Sequence, residues 1–316
     1  FDPDWVWLKS RNLTTSHQLN DTVRGANKTL FSDSTAAEVN NHGAGYLSAF
    51  VTDGFSVTSS TNDDGVNDGS DTYVAWNWLA GTAFSNDASA TSVGTIDSTG
   101  QVNTKAGFSI ISYTGNGSSS QTVAHGLSST PEFLIHKDRD TNSNNNQWNV
   151  YHAGAGDDYG YLSVTNAFTG AAQLIPSGTT TFELKANLAT SNESGDDYIV
   201  YCFHSVDGYS KIDKYTGNGN ADGPFVHTGF RPVWILLRES SAARNWVISY
   251  DDSTYYNGTT QSLFPNITQA EDANTRLDFL SNGFKLRTTS TSWNNNNGNY
   301  IYMAFADQPF KFSNAR

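Results

Sequence analysis

Apolar positions along the chain come in short bursts rather than at helical spacing. Phe133-Leu-Ile135, Phe182-Glu-Leu184, Tyr198-Ile-Val-Tyr-Cys-Phe203, Trp234-Ile-Leu-Leu237 and Trp246-Val-Ile248 are rich in β-branched and aromatic residues and bounded by Gly, Asn, Asp, Ser or Pro. Such runs predict short strands. Asn-Gly and Asp-Gly pairs starting at 53, 64, 116, 257 and 282 supply the positive φ angles that tight hairpin turns need. The helix-like windows are an Ala-Ala-Glu stretch near 36–39 and its counterpart near 270–273, each long enough for a turn or two.

The strands recur. Tyr113-Thr-Gly-Asn-Gly117 returns as Tyr215-Thr-Gly-Asn-Gly219, and Tyr198-Ile-Val-Tyr-Cys-Phe203 as Tyr300-Ile-Tyr-Met-Ala-Phe305, both at an offset of 102 residues. Between these landmarks Pro131-Glu-Phe-Leu-Ile matches Pro232-Val-Trp-Ile-Leu, and Gln147-Trp-Asn-Val matches Asn245-Trp-Val-Ile. A more diverged copy opens the chain, with Pro3-Asp-Trp-Val-Trp as its Pro-led strand and Tyr73-Val-Ala-Trp-Asn-Trp78 as its closing strand. Here His17-Gln-Leu-Asn stands where the others have a Trp-led strand, while Thr52-Asp-Gly-Phe-Ser-Val echoes Ser281-Asn-Gly-Phe-Lys-Leu. In the later copies the Tyr-Thr-Gly-Asn-Gly strand starts about 18 residues before the Pro, so copy one lacks that first hairpin and further polypeptide is expected upstream of Phe1.

Self-similarity at this period sets the architecture. About seven strands per 100 residues is the density of a sandwich, so the fold is predicted to be all-β: three tandem imperfect β-sandwich repeats of jelly-roll or lectin-like type. The first, 1–80, is incomplete at its N-terminus; 106–206 and 207–316 are the second and third. The offset from copy one to copy two exceeds 102 by 23 residues, and the surplus falls in the Ser/Thr/Gly-rich segment 81–105. That segment reads as a linker, or as a laterally docked pair of short strands.

Composition narrows the function. Of 316 residues only 16% are charged, against about 25% in average proteins. The net charge of −13 opposes binding to nucleic acid or anionic lipid. No apolar run is long enough to span a bilayer, so no membrane insertion is expected. Cys202 is the only cysteine, which leaves no intrachain disulfide, and its place in an alternating strand predicts a small packed hydrophobe.

Candidate chemistry is sparse. The acidic run holding Asp63, Asp64, Asn67, Asp68 and Asp71 offers closely spaced oxygen ligands and suits a hard cation such as calcium. The plainer reading is a solvated hairpin loop, and no other cofactor is expected. His125 and His227 recur at one repeat position, which favours turn or packing roles. Asp138, Arg139, Asp140, Arg238 and Glu239 end the Pro-led strands and predict exposed or partly covered ion pairs. Asp157, Asp158, Asp196, Asp197, Asp251 and Asp252 fall in doublets typical of turns rather than as the separated carboxylate pair of a glycosidase. With no Gly-x-Ser-x-Gly, His-Glu-x-x-His or P-loop pattern, an enzyme is not expected. Trp5, Trp148, Trp234 and Trp246 occupy repeated strand positions and read as core. Trp293, in an Asn-rich loop, and Tyr255, Tyr256 and Asn257 have less repeat support and are the candidates for surface ligand binding, including stacking on sugar faces.

The segment Ala106-Gly-Phe-Ser-Ile-Ile-Ser-Tyr-Thr-Gly-Asn-Gly117 with its following His-Gly-Leu and Pro-led strand, and the ending Met303-Ala-Phe-Ala-Asp-Gln-Pro-Phe-Lys-Phe-Ser-Asn-Ala-Arg316, resemble a repeat of structural proteins from marine tailed bacteriophages. The resemblance covers nearly the whole chain and carries no catalytic motif. It implies a virion surface protein, tail-fibre-like, adhering to host-surface glycan or protein beside other virion proteins. The alternatives are a purely structural component, such as a capsid decoration or fibre spacer, and more remotely a polysaccharide depolymerase. A fibre admits a homotrimer and three repeats in one chain admit a pseudo-threefold unit; the sequence leaves both open.

Overall fold

The computed structural model describes residues 1–58, 65–140, 146–185, 188–251, 260–274 and 276–307. The first repeat contributes β1 (Trp5–Ser10), β2 (Gln18–Asp21), β3 (Lys28–Phe31), β4 (Val39–Asn40), β5 (Leu47–Val51), β6 (Gly54–Val57) and β7 (Tyr73–Trp78). The second contributes β8 (Thr82–Asn86), β9 (Ser98–Asn103), β10 (Phe108–Thr114), β11 (Gln121–Ala124), β12 (Phe133–Asp138), β13 (Asn149–His152), β14 (Tyr159–Tyr161), β15 (Leu174–Ser177), β16 (Thr181–Leu184) and β17 (Asp197–Phe203). The third contributes β18 (Ser210–Thr216), β19 (Phe225–His227), β20 (Pro232–Glu239), β21 (Val247–Tyr250), β22 (Thr260–Leu263), β23 (Asp272–Asn274), β24 (Leu277–Leu280), β25 (Gly283–Leu286) and β26 (Asn299–Ala306).

Each repeat builds the same two layers. The large sheets run β4-β3-β2-β1-β7, β14-β13-β12-β17-β10-β9-β8 and β23-β22-β21-β20-β26-β18, with the Pro-led strand always beside the closing strand. Their registers agree: Trp5 pairs with Trp78, Phe133 with Phe203 and Trp234 with Phe305. The small sheets are β5-β6, β11-β16-β15 and β19-β25-β24. Strand alternation divides the apolar side chains between the layers. Val6 and Leu8, Leu134, and Ile235 and Leu237 face their own small sheets. Trp5 and Trp7, Phe133 and Ile135, and Trp234 and Leu236 enter one core shared by all three repeats. The Trp5 ring stacks on Tyr201 of the second repeat at 4.4 Å, and Trp78 meets Trp234 of the third at 5.5 Å.

Around that core the sandwiches close into a ring rather than a stack. By register, His17, Trp148 and Trp246 are equivalent, as are Phe31, Tyr161 and Phe264. The Trp148 indole donates to the Phe31 carbonyl and the Trp246 indole to the Tyr161 carbonyl, both at 2.8 Å, while His17 faces the backbone of Phe264. The backbone N–H groups of Glu38, Phe168 and Glu271 donate to the carbonyls of Arg139, Ser240 and Arg11, taking repeat one to two, two to three and three to one. A head-to-tail contact that returns to its origin after three steps is a closed heterologous ring. The chain is a pseudo-threefold unit within one polypeptide.

The seams differ in chemistry. Arg139 grips Glu38 with Nε and Nη2 at 3.0 and 3.1 Å, and Arg11 grips Glu271 at 2.9–3.1 Å. At the remaining seam Phe168 replaces the glutamate and lies, with Trp246, under the Arg238 guanidinium. Gly160 makes room for it: a Cβ there would sit 2.3 Å from the Phe168 ring, whereas the equivalent Leu30 and Leu263 fill their own sites. Lys9, Lys137 and Arg238 occupy one equivalent position, buried, and donate mainly to backbone carbonyls. Burial pulls Lys9 down to about 8, Lys137 to about 7 and Arg238 to about 10.

Three expectations need correction. Segment 81–105 follows the second of its two readings and is no linker: β8 and β9 are a docked pair of short strands that extends the second large sheet through β10. The Ala-Ala-Glu windows are not helical, because their backbone is held extended by the seam bonds of Glu38 and Glu271; the helical turns lie at Ala88–Thr91, Leu188–Ser191 and Thr291–Asn294. The ends of the Pro-led strands are more buried than expected: Asp138, Arg238 and Glu239 are each at most 1% accessible, while Asp140 is exposed and partly covered ion pairs do form between Arg139 and Glu38 and between Arg244 and Glu239.

Candidate functional site

Where the second and third repeats meet, the surface opens into a cleft of about 470 Å³. One wall is the turn after β13, with Gly154, Ala155 and Asp158, backed by Phe168. The other is built by β18, the end of β20 and the start of β26, bringing Lys214, Thr216, Ser240, Ser241 and Asn299. The seam bond from the Phe168 N–H to the Ser240 carbonyl joins the two walls of the cleft. Tyr215 and Tyr300 stack behind it with ring centroids 4.8 Å apart and planes within 6°. Their hydroxyls are committed inward, Tyr215 donating to the Trp293 carbonyl and Tyr300 to that of Thr291. Burial pushes the Tyr300 hydroxyl up to about 12, so it stays protonated.

The donors and acceptors left on the rim are hydroxyl, amide, one ammonium and one carboxylate. Ser241 accepts from the Asn299 N–H at 3.2 Å and donates to Glu239, which is itself held by Arg244. Asp158 and Lys214 are exposed and neither carries an ion pair. This is a polar concavity whose rim can exchange hydrogen bonds through hydroxyl and amide groups and carries one charge of each sign. Among the described residues that line it, Asp158 is the one carboxylate.

The residues singled out in the sequence fall elsewhere. Trp293 is not a surface residue: it is 2% accessible, packed edge-on against Phe264 and covered by the Arg276 guanidinium 4.4 Å from its ring. Its Asn-rich surroundings are structural, because Asn294 turns inward to bind the Tyr215-Thr-Gly-Asn-Gly219 turn and carries Trp293 into the core. Tyr255, Tyr256 and Asn257 lie outside the described residues, as do Asp63, Asp64 and Asp252. Of the rest of the acidic run, Asp71 accepts from Asn12, Asp68 accepts from the Gly69 N–H, and Asn67 is exposed. Among the described residues no three His, Cys, Asp or Glu side chains gather as a metal site. Asp197 accepts from Thr114 and Asp251 is held by Arg231. His125 is buried with its pKa lowered to about 4 by desolvation, and His227 is exposed. Cys202 is fully buried and its thiol is pushed up to about 12 by desolvation. The cleft itself was invisible to sequence reasoning, since its two walls come from different repeats.

A family model described as a domain of unknown function, DUF7483, matches residues 1–309. No curated protein and no solved structure matches the chain.

Proposed function

We propose, for a chain that belongs to this family of unknown function, that it is a virion surface protein of a tailed bacteriophage, a tail-fibre-like adhesion module contacting host-surface glycan or protein. The observation that carries this is the polar cleft between the second and third repeats: a concave site rimmed by Asp158, Lys214, Thr216, Ser241 and Asn299, set in a body closed by three repeated seams. A rigid ring with a hydroxyl- and amide-lined cleft is suited to holding a saccharide without changing it. Its place is then the particle surface, beside other virion proteins.

The test is binding of the purified chain to host cells and to their extracted surface polysaccharide. Lys214→Glu and Asp158→Ala alter exposed side chains and leave the seams intact, so each is expected to weaken binding at least tenfold with an unchanged Tm. Binding unaffected by both variants moves the contact away from the cleft, and absence of binding by a folded sample refutes adhesion. A second reading, a purely structural virion component, is favoured by one observation, the sheet edge at β7 that no strand among the described residues covers.

A further inference from the structure

In the second and third repeats the closing strand is flanked on both sides, β17 by β12 and β10, β26 by β20 and β18. In the first repeat β7 pairs with β1 and ends its sheet, so among the described residues its other edge carries no strand. The small sheets repeat the difference: β16 is covered by β11 and β25 by β19, whereas β6 is an edge. One hairpin, with one strand in each layer, accounts for both vacancies.

The side chains around the vacancy match. Asn192 and Asn294, at most 1% accessible, each exchange hydrogen bonds with the Asn of a Tyr-Thr-Gly-Asn-Gly turn: Asn192 with Asn116 at 2.9 Å in both directions, Asn294 with Asn218 at 2.8 and 3.0 Å. The equivalent in the first repeat is Asn67. The alignment is secured by the next residue, since the N–H groups of Asp68, Glu193 and Asn295 all donate to the hydroxyl of the Tyr five positions on. Asn67 is exposed and has no hydrogen bond. Phe55 and Val57 are partly exposed, while their counterparts Phe182, Leu184, Phe284 and Leu286 are at most 2% accessible. On the inner face two clefts, of about 330 and 360 Å³, flank Trp76 and share Trp234 as a wall. In the second repeat Phe108 of β10 occupies the corresponding place, stacked 5.8 Å from Trp5, the equivalent of Trp234.

We propose that the β7 and β6 edges form a docking slot for a β-hairpin of the repeat's own pattern, alternating apolar residues leading into Tyr-Thr-Gly-Asn-Gly and a short return strand, joined in cis ahead of Phe1. The path of the chain selects this source. After β19 the N–H groups of Thr228 and Gly229 bond the Asn282 carbonyl at the β24–β25 turn; in the first repeat the Asp53 N–H bonds the Asp2 carboxylate at the equivalent turn. Residues 1 and 2 therefore lie where such a hairpin exits. Edge pairing supplies main-chain hydrogen bonds, and the Trp76 clefts and Asn67 supply the side-chain selection.

The test adds a hairpin and reads the slot directly. A peptide copying residues 207–229 is titrated into the chain, and the same segment is fused ahead of Phe1. Saturable one-to-one binding is expected, weakened at least tenfold by Asn67→Ala, and the fusion is expected to slow hydrogen exchange of the unpaired β7 amides at least tenfold and to raise Tm. No peptide binding together with unchanged β7 exchange in the fusion overturns the proposal. Concentration-dependent dimerisation of the unfused chain that protects β7 overturns the cis source in favour of a second copy. Adhesion is read separately on cells, so either reading can fail alone.

Discussion

Replacing Glu38 by Gln tests whether the seams hold the ring together. The Glu38 side chain is 8% accessible and faces three cations, Arg139 at 3.0 Å, Arg24 at 3.1 Å and Lys28 at 3.4 Å. At an effective dielectric of about 20, one such pair at 3 Å is worth roughly 5 kcal/mol before desolvation is subtracted. Removing one partner of a buried pair costs about 3–5 kcal/mol. Gln keeps the shape and one carbonyl acceptor, and Arg24 retains Asp21 at 2.5 Å, so the lower end applies and Glu38→Gln is expected to lose about 3 kcal/mol at pH 7. Burial pushes the Glu38 carboxyl up, but the hydrogen bond and charge of Arg139 and the charge of Arg24 outweigh it and hold its pKa below the ordinary value. Its contribution is therefore complete above the unfolded value of about 4.3 and is lost as pH falls through the lower folded value. Urea unfolding at pH 7 and pH 3.5 reads both consequences: the gap between the native chain and Glu38→Gln should narrow in acid. A gap under about 1 kcal/mol at pH 7, or one independent of pH, refutes the reasoning.

The other predictions use the same sample. Glu271→Gln should cost less than Glu38→Gln, about 1–2 kcal/mol by the same unfolding assay, because Arg11 is 27% accessible and water screens the pair. Gly160→Leu should lower stability by at least about 3 kcal/mol, since the new side chain must expel Phe168 from beneath Arg238; a normal Tm would contradict that packing. His17, His125, His136 and His152 are buried with pKa values lowered chiefly by desolvation, so the unfolded state takes up protons below about pH 6.5 that the folded state does not. Stability should fall between pH 6.5 and 5, with a slope of on the order of four protons that His152→Gln reduces by about one. Cys202 should not react with an aromatic disulfide reagent in the native state and should titrate fully in denaturant.

The layers were legible in the sequence because they rest on local signals. Alternation gave the strands, Asn-Gly and Asp-Gly the turns, and the 102-residue offset the repeated sandwich. The ring was not legible, since it depends on which residues meet across a seam. Glu38 and Glu271 align in the sequence, but nothing local says that each meets an arginine from another repeat, or that Phe168 stands at the third equivalent position. Trp293 shows the opposite failure. Its polar neighbours read as solvent-facing, yet an Asn six residues before the closing Tyr, present as Asn192 and Asn294, was a repeated signal that the loop folds inward. The cleft was hidden for the reason the ring was: Asp158 and Lys214 lie on separate repeats.

Placing three units of a heterologous ring in one chain also bears on how such a protein can specialise. Three identical subunits would be bound to three identical seams, and a change at one would be made at all. In a single chain each seam can differ, and here two carry the Arg–Glu grip, while the third carries Gly160, Phe168 and Arg238. The same seam bears the polar cleft, whose back wall is Phe168 itself. An Arg–Glu pair at that seam would place an ion pair behind the cleft, whereas here the Phe168 ring stands there under the Arg238 guanidinium. The seam without the ionic grip is thus the one on which the proposed binding cleft lies. Transplanting the pattern with Phe168→Glu and Ser240→Arg should preserve the ring and abolish binding at the cleft.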